Sequence, residues 1–189
     1  MDAVLSILIG IGLSAACGFR VFVPLLIMSL ASRASVGHLE LGPSFAWVGS
    51  TPALIAFAVA TVLEIAGYYI PWVDNLLDAA ATPTAIVAGI LVTASAAGDM
   101  SSFLRWSLAI VAGGGTAAVF QGITATARQI SSFTTGGMGN PVVATVEAGG
   151  SAILSVLAIT MPVVAVAIVF GLLFLGARRL FFRRPARAT

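Results

Sequence analysis

An apolar stretch, AVLSILIGIGLSAACGFRVFVPLLIMSLAS, occupies residues 3–32, and Arg20 is its only charged residue. An α-helix rises about 1.5 Å per residue, so about 20 apolar residues cross the hydrocarbon core of a bilayer, which is about 30 Å thick. The stretch is longer than one crossing needs. It therefore predicts a membrane-spanning helix that is tilted, or bent near Pro24, and that carries Arg20 near its centre.

The composition extends this prediction to the whole chain. Of the 189 residues, 59% are hydrophobic and only 8% are charged. Soluble domains carry about 25% charged residues, because they need a surface that water wets. With about a third of that charge, the chain is predicted to form a single integral membrane domain over residues 1–189, with no separate soluble domain.

Further apolar segments predict an all-α transmembrane helical bundle of about six spans. Proline is tolerated in the first turn of a helix, so Thr51-Pro52 is predicted to open the second span and Thr82-Pro83 the third. The second, third and fourth spans are predicted at residues 51–70, about 82–98 and about 106–127. The polar connections between them are predicted at residues 33–50, 71–81, 99–105 and 128–140.

The segment 141–177 is harder to divide, because it is too long for one helix of about 20 residues and short for two. Its only charged residue is Glu147. One solution is a broken or re-entrant segment near Glu147, followed by a span that ends at Ala177. The other is two short spans that meet at Thr160-Met161-Pro162. Both solutions stay open from the sequence alone.

The distribution of positive charge predicts the orientation. All nine cationic residues are arginines, and five of them lie in a basic tail, residues 178–189. Positively charged segments beside a span tend to stay in the cytoplasm. We therefore predict a multi-pass protein of the bacterial cytoplasmic (inner) membrane with a cytoplasmic carboxyl terminus. Six spans also place Arg128 in the cytoplasm, whereas the alternative of five spans places Arg33 and Arg105 there.

Two similar strings predict an internal duplication. Residues 59–67 read VATVLEIAG and residues 143–149 read VATVEAG, and each lies downstream of a proline. The half-repeats would be residues 1–98 and 99–178, approximately, with three spans each. An odd number of spans forces the second half to insert upside down, which gives the inverted-topology repeat of many transporters. Because alanine and valine dominate the composition, coincidence is the alternative.

Three ionisable residues inside predicted spans are candidates for a binding site. An ionised side chain in hydrocarbon costs several kcal/mol unless it is paired or hydrated. Glu64 and Glu147 hold matching places in the two strings, so they are predicted to bind a cation or to relay a proton. Arg20 is predicted to pair with one of them, or else to bind an anion or a lipid headgroup. The structural alternative is that all three cap helices or form ion pairs that fix the bundle.

Three further residues are predicted to lie near this site. Asp74 and Asp78 are four residues apart, so on a helix both carboxylates face the same side. They lack a third ligand, so no metal site and no cofactor is predicted, and the ordinary alternative is a turn residue and a helix cap. Asn140 ends the glycine-rich run TTGGMGN, residues 134–140, whose backbone could line a cavity. A plain flexible turn is the alternative there.

Short motifs over most of the chain resemble those of one family. They are Gly18-Phe19-Arg20 with Pro24, Glu64, Ile70-Pro71-x-x-Asp74 with Asp78, and Gly139-Asn140-Pro141 with Glu147. The pattern resembles a widespread group of small bacterial multi-pass membrane proteins, classed only as a domain of unknown function. Many members have an acidic-basic pair where this chain has Tyr68 and Tyr69, which we interpret as part of an aromatic belt at the membrane interface. The resemblance implies no activity.

Together these features favour a small membrane transporter or channel-like protein with a polar midplane site between inverted repeats. Its expected partners are membrane lipids, a small ion or solute, and a second copy of the chain, but not nucleic acid. A non-transporting scaffold, an accessory subunit or a lipid-interacting protein is the alternative. No enzyme is predicted, because the only histidine, His38, lies in a loop and no lysine exists to activate a serine. An intramembrane lipid-phosphate enzyme would need Asp74 and Asp78 to hold a metal.

Overall fold

In the computed structural model the described residues are 3–98 and 100–181, and they form helices without any strand. The predicted all-α bundle is therefore confirmed. Most of the basic tail, residues 182–189, lies outside the described part. The helices are α1 (Ala3–Phe19), α2 (Phe22–Ala34), α3 (Thr51–Gly67), α4 (Pro71–Ala96), α5 (Ser102–Leu108), α6 (Gly115–Thr135), α7 (Asn140–Thr160) and α8 (Pro162–Phe181). A 3₁₀ helix, Pro43–Gly49, precedes α3, and a π-helical turn, Ala109–Gly114, joins α5 to α6.

The first apolar stretch forms two helices rather than one. Helix α1 ends at Phe19 and α2 begins at Phe22, so the chain breaks at Arg20 and Val21. The sequence placed a bend near Pro24 instead. Pro24 lies in the first turn of α2, where backbone N–H groups have no partner within the helix, so its missing donor costs little there. The break therefore brings Arg20 and the free N–H groups of a helix start into the interior.

Helix α1 lies at the centre of the bundle, where it packs against α4, α6, α7 and α8. Glycines on α1 allow its neighbours to approach closely. A Cβ added at Gly18 would lie 2.4 Å from the Cβ of Phe120 and 2.8 Å from the carbonyl oxygen of Ala117, both on α6. Close backbone approach of this kind supports helix association in lipid, where burial of apolar side chains gives little driving force.

We expect Gly18→Ala to destabilise the bundle by about 1–3 kcal/mol, the usual cost of an extra methyl group in a packed interior. The contacted atoms belong to the α6 backbone or adjoin it, so they cannot move aside. Thermal unfolding in detergent would measure the loss. Gly122→Ala on α6 is the control, because a Cβ added at Gly122 meets open space and alanine favours helix by up to about 1 kcal/mol. Equal stability of the two variants would contradict the packing argument.

The molecule exposes many large apolar side chains and buries a set of polar and charged ones within its apolar core. Val62 and Leu63 on α3 are each 65% exposed, and Val146 on α7 is 69% exposed. In the interior, the hydroxyl of Ser14 donates to the carbonyl oxygen of Gly89 at 2.8 Å, and several charged side chains are buried. Such an outer surface suits lipid, and such an interior satisfies polar groups that lipid cannot. The chain is an integral membrane protein.

Three helical stretches are long and apolar enough to cross a bilayer: Leu76–Ala96, Ser102–Thr135 and Asn140–Thr160. A fourth would be Pro43–Gly49 together with Thr51–Gly67, if their 60° bend lies within one span. Shorter apolar helices are Ala3–Phe19, Phe22–Ala34 and Pro162–Gly176. The described residues thus hold three or four candidate spans by this measure, and the count of about six stays a prediction.

Two predicted connections are wrong. Residues 71–81, predicted as a loop, form the first part of α4, which begins at Pro71 and contains Pro83 in its interior. Helix α6 continues to Thr135, so Arg128 lies within a helix and not in a cytoplasmic loop. In both cases the polar residues lie on the inward face of a helix and do not mark its end. Buried partners on other helices compensate the cost of placing them there.

Helix α7 is continuous through Glu147 and ends at Thr160, and α8 begins at Pro162. The prediction of a broken or re-entrant segment near Glu147 is wrong, and two helices that meet at Met161 are observed. The carboxylate of Glu147 is paired inside the bundle, so it does not force the helix to open. Glu64 lies in the last turn of α3 and Glu147 in the second turn of α7, so the two acids do not hold matching positions. The inverted repeat stays a prediction.

Candidate functional site

Arg128 on α6 is the centre of a buried ion network, and its side chain is 4% exposed. Its Nη1 donates to Oδ1 of Asp74 on α4 at 2.8 Å and lies 3.7 Å from Oδ1 of Asp78. Its Nε donates to Oε1 of Glu147 at 3.1 Å, and its Nη2 donates to Oε2 of the same carboxylate. The guanidinium thus makes a bidentate contact with one carboxylate and also contacts two others. This arrangement requires the planar guanidinium of arginine.

Arg20, at the break between α1 and α2, approaches Glu147 as well. Its Nη2 lies 3.2 Å from Oε2 of Glu147 and donates to the carbonyl oxygen of Ala144 at 3.0 Å. Of the two partners predicted for Arg20, the structure selects Glu147. The Nε and Nη1 atoms of Arg20 are buried, and no group in the described residues accepts from them. A buried donor without a partner costs about 1–3 kcal/mol, so the network is incomplete.

Tyr68, the residue after α3, contacts both arginines. Its ring centre lies 3.8 Å from Cζ of Arg20 and 3.9 Å from Cζ of Arg128. Each is a cation–π contact, worth about 2 kcal/mol or more when water is excluded. Tyr68 is only 6% exposed, so the prediction that it belongs to an interfacial belt is wrong.

Glu64 stabilises the break between α1 and α2. Its two carboxylate oxygens accept from the backbone N–H groups of Val21 at 2.8 Å and Phe22 at 3.0 Å. These groups belong to the start of α2, which has no other side-chain cap. The start of a helix carries a partial positive charge, so it compensates part of the negative charge of Glu64. A residue of α3 therefore caps a half-helix in the interior of the bundle.

Asn140 and Asp74 extend the network towards one end of the bundle. The Nδ2 of Asn140, the first residue of α7, donates to Oδ2 of Asp74 at 3.0 Å and to Oγ of Ser132 at 3.1 Å. Asp74 therefore has both oxygens engaged, one by Asn140 and one by Arg128. The carboxylate of Asp78 is less fully hydrogen-bonded. Its side chain is 33% exposed, and its Oδ1 atom is buried without a hydrogen bond from the described residues.

A polar cavity of about 510 Å³ lies beside Asp74 and Asn140. Gly136 and Gly137 form one wall; both have positive φ angles, of 63° and 88°, which glycine adopts without strain. This turn between α6 and α7 thus lines a cavity, as the glycine-rich run predicted. The remaining lining residues are Tyr68, Tyr69, Ser132, Met138 and Pro141.

An apolar cavity of about 590 Å³ lies between α3, α4 and the start of α2. Among the described residues, Glu64 is the only charged one that lines it, and Phe22, Leu63, Val73, Leu77 and Ala80 are among its apolar walls. Tyr68 is the one residue common to the linings of both cavities in the described part of the chain. The two cavities therefore both border Tyr68.

The structure brings together all six predicted site residues: Arg20, Glu64, Glu147, Asn140, Asp74 and Asp78. Sequence reasoning missed Arg128 and Tyr68, which link them. The sequence did contain a signal for Arg128. Ala117, Gln121, Thr124 and Arg128 recur at helical spacing, and all four are buried on α6. Within the described residues, no group of three or more His, Cys, Asp or Glu side chains is arranged to hold a metal ion.

The fold and this buried network define a multi-pass helical membrane protein with a polar interior site. A family model, DUF4126, a domain of unknown function, matches residues 7–181, which is most of the chain. The chain belongs to this family, as the resemblance of its motifs implied. No curated protein and no solved structure matches it.

Proposed function

We propose that the protein is a small membrane transporter or channel-like protein, and that the network around Arg128 is its ion- or solute-binding site. The observation that carries the proposal is a cluster of six ionisable side chains beside two cavities, five of them buried. Charged residues inside a bundle are costly, and they usually mark pathways for ions or protons. A break between two half-helices at the same place is a further feature of transporter sites.

The charge of the cluster favours a cation or a proton as the transported species. Glu64, Asp74, Asp78 and Glu147 face two arginines, Arg20 and Arg128, so the formal charge is two negative when all are ionised. The starts of α2 and α4, at Glu64 and Asp74, each offset roughly half a charge. About one negative charge remains without compensation. A bound proton or monovalent cation would neutralise it.

The incomplete hydrogen bonding favours a ligand-binding site over a purely structural network. Two buried nitrogens of Arg20 and Oδ1 of Asp78 lack hydrogen bonds from the described residues. Such groups are costly when they stay unpaired. A hydrated ion offers both donors and acceptors, so it could satisfy both. We place this site within a bacterial inner membrane, with the carboxyl terminus in the cytoplasm.

Glu64→Gln and Glu147→Gln, made separately, should abolish flux in protein that still folds; Glu147→Gln should also lower stability, because it removes the charged partner of Arg128 and Arg20. Glutamine keeps the shape and one acceptor oxygen but removes the charge. We would reconstitute each protein in liposomes, impose a potassium diffusion potential, and follow proton and sodium entry with fluorescent indicators. We expect at least a tenfold loss of rate, about 1.4 kcal/mol or more in the barrier. Size-exclusion chromatography and thermal unfolding would show that the variants remain folded.

A structural ion network that holds a non-transporting scaffold is the second candidate, since Arg128 is almost fully paired. It predicts the reverse pattern: no flux above empty liposomes in the wild type, and a bundle or oligomer that loosens in both variants. Arg33→Gln is the matched control, because Arg33 is exposed and bonds to Gly49 and Thr51 outside the network. Its flux and stability should equal those of the wild type under either reading.

A further inference from the structure

We propose that the apolar cavity between α3 and α4 binds a lipophilic organic cation, with Glu64 as its counter-charge. This inference rests on the proposed function, because it names a substrate class for the same site. The cavity volume of about 590 Å³ falls in the range of about 300–1,000 Å³ that holds drug-sized ligands. Its wall is almost wholly apolar and contains one charged group, so it suits a molecule with a large apolar body and one charge.

The rim of the cavity indicates entry from the lipid phase. Leu63 on α3 and Ile70, before α4, line it and are 65% and 51% exposed. Ala80 on α4 also lines it and is exposed. In a membrane protein, exposed apolar side chains of this kind face lipid tails. The ligand of this cavity is therefore one that partitions into the bilayer.

The sign of the ligand charge follows from the surroundings of Glu64. Each of its carboxylate oxygens accepts one backbone N–H group, which leaves lone pairs free to face the cavity. Its neighbours in the network carry more carboxylates than arginines, so the local charge is negative. An anion would be repelled, and a neutral molecule would leave the excess charge uncompensated. A cation with a delocalised or shielded charge is attracted and loses little hydration on entry.

Binding of tetraphenylphosphonium to the full chain in lipid nanodiscs would test this inference, with neutral triphenylphosphine oxide as the matched probe. We expect the wild type to bind the cation at least about tenfold more tightly than the neutral probe. Glu64→Gln should weaken binding of the cation by about tenfold or more, since it removes one partner of a desolvated charge pair. It should leave binding of the neutral probe unchanged.

Ala80→Phe and Ala79→Phe provide a second test that does not depend on Glu64. Both alanines are exposed on α4, but only Ala80 lines the cavity. Phenylalanine at position 80 should fill the cavity and abolish binding of the cation, and phenylalanine at position 79 should not change it. Equal binding of the two probes, or an equal effect of the two phenylalanine variants, would overturn the inference.

The same measurements separate this inference from the proposed function. Binding of tetraphenylphosphonium that depends on Glu64 and is blocked by Ala80→Phe supports the inference, even if reconstituted protein carries no flux. Flux of protons or sodium that depends on Glu64, without any binding of tetraphenylphosphonium, supports the proposed transport function and overturns the inference.

Discussion

Replacing Arg128 by glutamine should destabilise the bundle by about 3–5 kcal/mol, the usual cost of removing one partner from a buried ion pair. The loss is large because Arg128 faces three carboxylates, those of Glu147, Asp74 and Asp78. Without it, four carboxylates of the network face only Arg20. A domain with a free energy of unfolding of about 5–15 kcal/mol would lose a large share of it. Thermal and denaturant unfolding in detergent would measure the change.

A double variant tests whether uncompensated charge causes the loss. The double variant Arg128→Gln/Asp74→Asn removes one of the carboxylates that Arg128→Gln leaves without a partner. Its loss of stability should therefore be smaller than the sum of the losses in the two single variants. Coupling of about 0.5–3 kcal/mol is typical of residues that share one ion network. Arg128→Lys should recover only part of the stability, because an ammonium group cannot reproduce the two-pronged contact with Glu147. If the Arg128→Gln variant has the same free energy of unfolding as the wild type, the network does not stabilise the bundle.

The polar core could be predicted from the sequence because charged residues are rare and costly in segments that cross lipid. Arg20, Glu64 and Glu147 stand alone in apolar stretches, and the cost of an isolated charge requires a partner for each. That argument correctly paired Arg20 with a glutamate. It also placed Asp74, Asp78 and Asn140 near the site, although these residues were expected in loops and lie instead in the first part of α4 and at the start of α7.

The helix ends could not be predicted in the same way, because a polar residue has two meanings in a membrane protein. It either ends a span at the interface or marks the side of a helix that faces a polar interior. Arg128 and Asp74 were assigned the first meaning and have the second. The choice depends on whether partners lie opposite them on other helices, and α4, α6 and α7 contribute those partners from distant parts of the sequence.

Tyr68 was missed for a related reason. Tyrosine next to a predicted span end is typical of an interfacial anchor, and nothing local distinguishes it from one. Its role is created by Arg20 and Arg128, which are separated by more than a hundred residues in sequence and meet only at its ring. The break that places Arg20 in the interior is likewise a tertiary feature, since Glu64 on α3 caps the half-helix that follows it.

Tyr68→Ala should therefore have the second large effect, a loss of stability together with a leak. Removing a buried aromatic ring costs about 3–5 kcal/mol, and here it also removes the cation–π partner of two guanidinium groups. Tyr68 lines both the polar and the apolar cavity. Its removal should join them into one passage, so proteoliposomes should show uncoupled entry of protons or sodium above the wild-type rate.

Two other replacements separate the stability effect from the leak. Tyr68→Phe keeps the ring and both cation–π contacts, so its stability should lie close to that of the wild type and its liposomes should stay tight. Tyr68→Leu keeps apolar volume but removes the π face, so it should remain folded well enough for flux to be measured and should leak. If Tyr68→Leu is folded and as tight as Tyr68→Phe, the ring does not close a path between the cavities. The contacts of Tyr68 with the two arginines would then serve only the stability of the network.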